Sequence, residues 1–238
     1  MMPPRRKMTA RDDINVVSAR LLAIIESGSF PADGRLPTER ELSESMGVSR
    51  RAVRSAFDIL VSGGLIWRQQ GKGTFAGQAP DRTQVLAAEI AGETNFTEVM
   101  EARLCIEPVL AAMAAKHALP ADIERMRNLA RRTFEATDPQ SIELWDGALH
   151  RLIARTANNR PLLTAFSMID EIRSNAGWMG TRQKARSQET LRISDGEHHA
   201  IILQIEAGHA QGAEDAMRQH LTTLYGNLKR LLNLECGA

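Results

Sequence analysis

Four residues in the C-terminal half have the types and spacing to hold a metal ion. Asp146 and His150 are four residues apart, so on a helix they project from one face. His150 stands over Ile153 and Ala157, which turns that face inward. His198 shares a face with Ile201, Ile202 and Ile205, whereas His199 points about 100° away. Gly208 turns the chain, with His198 ten residues before it and His220 twelve after. At about 1.5 Å rise per residue, antiparallel arms bring those two imidazoles to nearly one height. His220 also lies on the face of Met217, Leu224 and Leu228. One inward histidine is ordinarily a hydrogen-bonded core residue. Three with an aspartate, turned into one helical interior, can hold a first-row transition ion. Zn heads the candidates, and Ni or Mn would tolerate the same donors.

A second chemical feature is Arg103, which falls in the apolar stripe of Val99, Ile106, Leu110 and Met113. A buried guanidinium needs an anion. Glu107, one turn on, can supply it, and so can a bound carboxylate.

The elements that must position these groups are helical. After residue 84 every segment reads as helix. Pattern breaks fall near residues 92–95, 118–120, 138–139, 158–161, 177–180, Ser194 and Gly208, giving six or seven helices. Ser194 with Glu197 has the spacing of a capping box, which starts a helix there and places His198 in its first turns. His117 and His209 sit at helix ends and read as surface.

The N-terminal third has a different order. A helix near residues 13–27 carries Ile14, Val17, Leu21, Ile24 and Ile25 on one stripe. Thr38 and Glu41 form a capping box for a second helix, and Gly47 suits the tight turn that follows it. Ser49 caps a third helix over residues 50–62, with Val53, Ala56, Phe57 and Leu60 inward and Arg50, Arg51 and Arg54 elsewhere on its surface. Residues 65–67 and 74–75 read as strands around a Gln70-Gly71-Lys72-Gly73 tip. Helix, turn, basic helix and hairpin make a winged helix-turn-helix.

These residues resemble the GntR family of bacterial transcription regulators. The Leu36-Pro37-Thr38-Glu39-Arg40 run, Gly47-Val48-Ser49-Arg50, Val53-Arg54 and Gly71-Lys72-Gly73-Thr74-Phe75 follow the family order without a gap over about residues 14–77. The resemblance implies that Arg40, Ser49, Arg50 and Arg54 contact DNA, and that Gln70 and Gly71 approach the minor groove. The C-terminal half is similar to the FadR C-terminal domain (FCD), the helical effector module of one GntR branch, over about residues 84–232. Its metal-binding members use an Asp and three His, which match Asp146, His150, His198 and His220. The founding fatty-acid-responsive member lacks these ligands, so acyl-CoA specificity is not implied.

Composition agrees with two modules: residues 1–77 as the DNA-binding domain, 78–83 as a linker, and 84–238 as the helical ligand and metal domain. Residues 1–77 carry twelve Lys/Arg against eight Asp/Glu, and the remainder eighteen against twenty-one. A basic front suits a nucleic-acid reader. Cys105 and Cys236 make no disulfide framework, which fits a reducing cytoplasm. No apolar run is long enough to span a bilayer. The expected fold is mainly α. The expected function is a homodimeric regulator, not an enzyme, that binds a pseudo-palindromic operator in double-stranded DNA. A small carboxylate would control it from the metal site, with Arg103 as a second anchor. Repression relieved by ligand is the expected sign. The alternatives are a sensor of the ion itself, a metalloenzyme with an appended DNA-binding domain, and a purely structural ion. No general base, nucleophile or oxyanion cluster stands beside the four ligands.

Overall fold

The computed structural model describes residues 10–26, 31, 34–62, 64–77, 84–174 and 176–236. The chain divides into two compact units, Met1–Ala79 and Pro80–Ala238. The expected linker over 78–83 lies outside the described residues.

The first unit contains α1 (Ala10–Glu26), α2 (Glu39–Met46), α3 (Arg50–Ser62), β1 (Ile66–Gln69) and β2 (Gly73–Ala76). Thr38 opens α2 through a reciprocal box. Its hydroxyl accepts from the Glu41 backbone N–H, and the Glu41 carboxylate accepts from the Thr38 N–H. Gly47 closes α2 in the left-handed region, φ 65°, where a side chain would be strained. Ser49 Oγ then accepts from the Ala52 N–H and starts α3. Val53, Ala56, Phe57 and Leu60 of α3 are buried with Val17, Leu21 and Ile25 of α1, as their spacing predicts. β1 and β2 pair antiparallel, with Trp67 opposite Phe75 and their rings stacked at 4.7 Å. Both strands run longer than the sequence suggests, with the ladder continuing past this stacked pair through Arg68–Thr74 to Gln69 and Gly73.

The second unit contains α4 (Gln84–Ala91), α5 (Phe96–His117), α6 (Pro120–Glu135), α7 (Pro139–Thr156), α8 (Arg160–Arg173), α9 (Ala176–Lys184), α10 (Gln188–Glu206) and α11 (Ala210–Cys236). These are eight helices among the described residues, where six or seven were expected. The expected break at residues 177–180 is instead the body of α9. A further correction concerns α10. It starts at Ser187, which forms the capping box with Thr190, and Ser194 lies inside the helix. Ser194 has no cap to make there, and the Glu197 carboxylate instead engages His220 and Thr223 of α11.

Long α5 packs against α7, α8, α10 and α11 and forms the spine of this unit. Pro108 sits inside α5 and cannot donate to the carbonyl four residues earlier. That carbonyl, of Leu104, accepts instead from Arg218 Nη1 of α11 at 3.3 Å. Gly208 adopts φ 70° and folds α10 back against α11, as the spacing of His198 and His220 requires. Among the described residues no helix is long and apolar enough to cross a membrane.

Candidate metal centre and nucleic-acid interface

α7 supplies Asp146 and His150, α10 supplies His198, and α11 supplies His220. All four residues are buried, none more than 4% exposed. Each offers one ligand atom, and these atoms lie within 4.8 Å of one another. Asp146 Oδ1 is 3.4 Å from His198 Nε2 and 3.9 Å from His150 Nε2. The Nε2 atoms of His150, His198 and His220 are buried without a hydrogen-bond partner.

Three orphaned ring nitrogens at one point are costly, since each was stripped of water. Burial pulls the His150 pKa down and holds that of His220 well below the ordinary range, so both imidazoles are neutral at neutral pH. Burial would raise the Asp146 carboxyl. His198, His150, Arg173 and Arg182 outweigh it and keep the group ionised. A carboxylate and three imidazoles with unpartnered nitrogens fit a borderline transition cation, which would satisfy all four donors at once. His199, His117 and His209 are exposed and take no part.

The two oxygens of Asp146 face opposite ways. Oδ1 points to the imidazoles, while Oδ2 accepts from Arg173 Nη1 at 3.2 Å and Arg182 Nη2 at 3.1 Å. Gly147 makes this possible. A Cβ there would stand 2.8 Å from Arg173 Nη2 and 2.8 Å from Arg151 Nη1. Arg173 is also held by Asp170, and Arg182 and Arg186 share Glu143. Burial and the neighbouring Arg173 pull the Arg182 pKa down to about 9, which leaves it cationic at neutral pH. Beside these groups opens a cavity of about 50 Å³. Arg103, Arg173, Arg182 and Arg186 line its polar side, and Met100 and Trp178 belong to its apolar wall.

Arg103 is 2% exposed and forms an ion pair with Glu107, Nε to Oε1 at 2.5 Å. Glu107 Oε2 in turn lies 2.6 Å from His150 Nδ1. Burial would raise Glu107, but Arg103 and His150 hold it far below the usual carboxylate range. Sequence reading offered Glu107 as an anion for Arg103 but did not connect it to His150. It also missed Arg173, Arg182, Glu143 and Glu197. The i,i+4 spacing announced the first pair. The others act between helices, which no spacing along the chain reports.

In the first unit Arg40, Arg50, Arg51 and Arg54 are exposed, on α2 and α3. Ser49 is exposed at the start of α3, and Gln70 and Gly71 are exposed at the hairpin tip. Arg54 donates to Glu39, with Nη2 at 3.0 Å. Arg68 pairs with Asp58 at 2.8 Å and approaches Glu39 at 3.7 Å. Such exposed pairs are weak and exchange readily, so Arg54 can be given up to a base or phosphate.

Residues 14–76 match the family described as bacterial regulatory proteins, gntR family, and residues 98–223 match the FCD domain. The chain is 32% identical over 225 residues to a protein of Escherichia coli (strain K12) named for the regulation of an L-lactate dehydrogenase operon. That match covers 90% of this chain and 85% of the relative. It is 27% identical over 225 residues to the Uxu operon transcriptional regulator of the same strain, covering 92% and 88%. It is 27% identical over 212 residues to the HTH-type transcriptional regulator LutR of Bacillus subtilis (strain 168), covering 84% and 94%.

Proposed function

Because the chain belongs to the GntR family of bacterial regulatory proteins and carries an FCD domain, it is a DNA-binding transcription regulator, and we propose that a small organic acid controls it through a metal site in the helical unit. Residues 1–77 are the reader, 78–83 the linker and 84–238 the effector module. The observation that carries the reading is the meeting of Asp146, His150, His198 and His220, with ligand atoms within 4.8 Å of one another and all three Nε2 atoms buried and unpartnered, beside an arginine-lined cavity. The bound ion, with Zn first and Ni or Mn as alternatives, would supply a Lewis-acid contact for a carboxylate oxygen.

The chain's own residues decide what else can enter. Five guanidiniums, those of Arg103, Arg151, Arg173, Arg182 and Arg186, already face four carboxylates around the site. Adding a divalent cation to neutral imidazoles leaves a buried positive surplus, which is unfavourable without an anion. That argument favours an acid effector over an ion sensed alone. Arg103 Nε and Nη2 hold Glu107, and Nη1 donates only to the weak acceptor Met100 Sδ at 3.9 Å, a contact that a ligand carboxylate can replace. Arg182 is the second anchor. A cavity of about 50 Å³ has space for a few waters and suits a short acid. The relative named for an L-lactate dehydrogenase operon makes lactate the first to try.

A homodimer would present two α3 helices to two half-sites of a pseudo-palindromic operator. Effector binding shifts DNA affinity only through unequal affinity for the DNA-competent and incompetent states, and relief of repression is the proposed sign. The direct test is operator binding followed by fluorescence anisotropy while zinc and lactate are titrated singly and together. Weakening that requires both supports the reading. Weakening by zinc alone supports an ion sensor.

Two variants refine it. Arg50→Ala and Arg54→Ala are expected to cost about 1–3 kcal/mol of operator affinity each where they contact a base. Unchanged affinity and specificity in both would remove them from the interface. Arg182→Met is expected to weaken acid binding about tenfold or more, the loss of a charge-assisted hydrogen bond. Isothermal titration with zinc-loaded protein reads that loss, and ion stoichiometry should be unchanged because Arg173 still holds Asp146 Oδ2.

A further inference from the structure

Two of the three inward histidines lean on glutamates from neighbouring helices. His150 Nδ1 of α7 is 2.6 Å from Glu107 Oε2 of α5. His220 Nδ1 of α11 is 2.9 Å from Glu197 Oε2 of α10, whose Oε1 accepts from Thr223 Oγ1 at 2.6 Å. In both rings the opposite nitrogen, Nε2, is buried and unpartnered. We propose that Glu107 and Glu197 are positioning residues: each fixes the proton of its histidine on Nδ1, so that both Nε2 lone pairs face Asp146 Oδ1.

The physical reason is simple. An ionised carboxylate accepts and does not donate, so the imidazole it touches must place N–H toward it. A neutral imidazole has one such hydrogen, and its other nitrogen is left with a lone pair. Lone pairs from His150 and His220 then join a carboxylate oxygen in a dry space. Such a cluster is repulsive until a cation enters, and the ring orientation it needs is already set. The carboxylates also make each imidazole a more basic donor. Arg103 belongs to this arrangement, because it holds Glu107 in place from the other side. Glu197 looked like a helix cap in the sequence, but its carboxylate serves a histidine 23 positions away.

The consequence for affinity rests on the metal reading above, but the tautomers are a property of the ion-free chain and are tested separately. Protein labelled with ¹⁵N-histidine, stripped of metal, is examined by long-range ¹H–¹⁵N correlation of the imidazoles. His150 and His220 are expected in the Nδ1–H form. Glu197→Ala is expected to mix the His220 tautomers and weaken zinc affinity about 10- to 100-fold in chelator competition. Glu197→Gln keeps an acceptor and is expected to restore the Nδ1–H form and most of the affinity. Glu197 is partly exposed, so thermal melts of the ion-free variants should match the parent. Nε2–H rings in the parent, or unchanged tautomer and affinity in Glu197→Ala, would overturn the proposal. A parent with the expected tautomers that fails to hold zinc would overturn the metal reading and leave this one standing.

Discussion

A chain carrying His198→Ala and His220→Ala together is expected to purify without a transition ion, where the parent is expected to hold one per chain. The two imidazoles come from the two arms of the α10–α11 hairpin, so their loss removes half of the donors and leaves only the Asp146–His150 pair on α7. Two donors one helical turn apart cannot close a four-donor shell. The readout is metal content by plasma emission after dialysis, together with zinc-dependent melting. A ligand that binds only the folded state raises its melting point by mass action, so zinc should stabilise the parent and leave the double variant unmoved. Two truncated side chains also open cavities. Chelated parent protein, which keeps both imidazole side chains, therefore serves as the control for ion loss. Stoichiometric metal in the double variant would assign the ion to other ligands.

The second large effect is on stability. Arg103→Met is expected to destabilise the helical unit by about 3–5 kcal/mol, because it leaves Glu107 buried beside His150 with no guanidinium. The whole stability of a domain is on the order of 5–15 kcal/mol, so the urea midpoint should fall visibly. Adding Glu107→Gln removes the stranded charge and should recover part of the loss, since a neutral amide costs less to bury than an unpaired carboxylate. If Arg103 served chiefly to hold an effector, the single variant would lose acid affinity with the midpoint nearly unchanged. The measured split between stability and acid binding therefore decides how the side chain divides its hydrogen bonds.

Much of the architecture was legible along the chain because it depends on local physics. The Thr38–Glu41 box, the Gly47 turn and the Ser49 cap are short-range hydrogen bonds and backbone requirements, and each appears in the first unit. The meeting of Asp146, His150, His198 and His220 was also legible. It needs only the 3.6-residue period, a turn at Gly208 and equal arm lengths. The errors have the same physical origin as the successes. Ser194 and Glu197 carry the spacing of a cap. Yet the helix starts seven residues earlier, at Ser187 with Thr190, where a hydroxyl stands in for the usual Glu or Gln, so the local pattern ranked the wrong cap first. The short helix α9 was hidden by Gly177 and Gly180, which lower helix propensity without forbidding a helix.

What the sequence determined by itself, then, is a winged reader, a helical second unit and the four side chains that share its interior. Tertiary structure alone decided the electrostatic surroundings of those four. Arg173 and Arg182 reach Asp146 from α8 and α9, Glu107 reaches His150 from α5, and Glu197 reaches His220 from the facing arm. Periodicity fixes which way a residue points on its own helix. It carries no information on which residue of another helix stands opposite, because that depends on crossing angle and register set by packing.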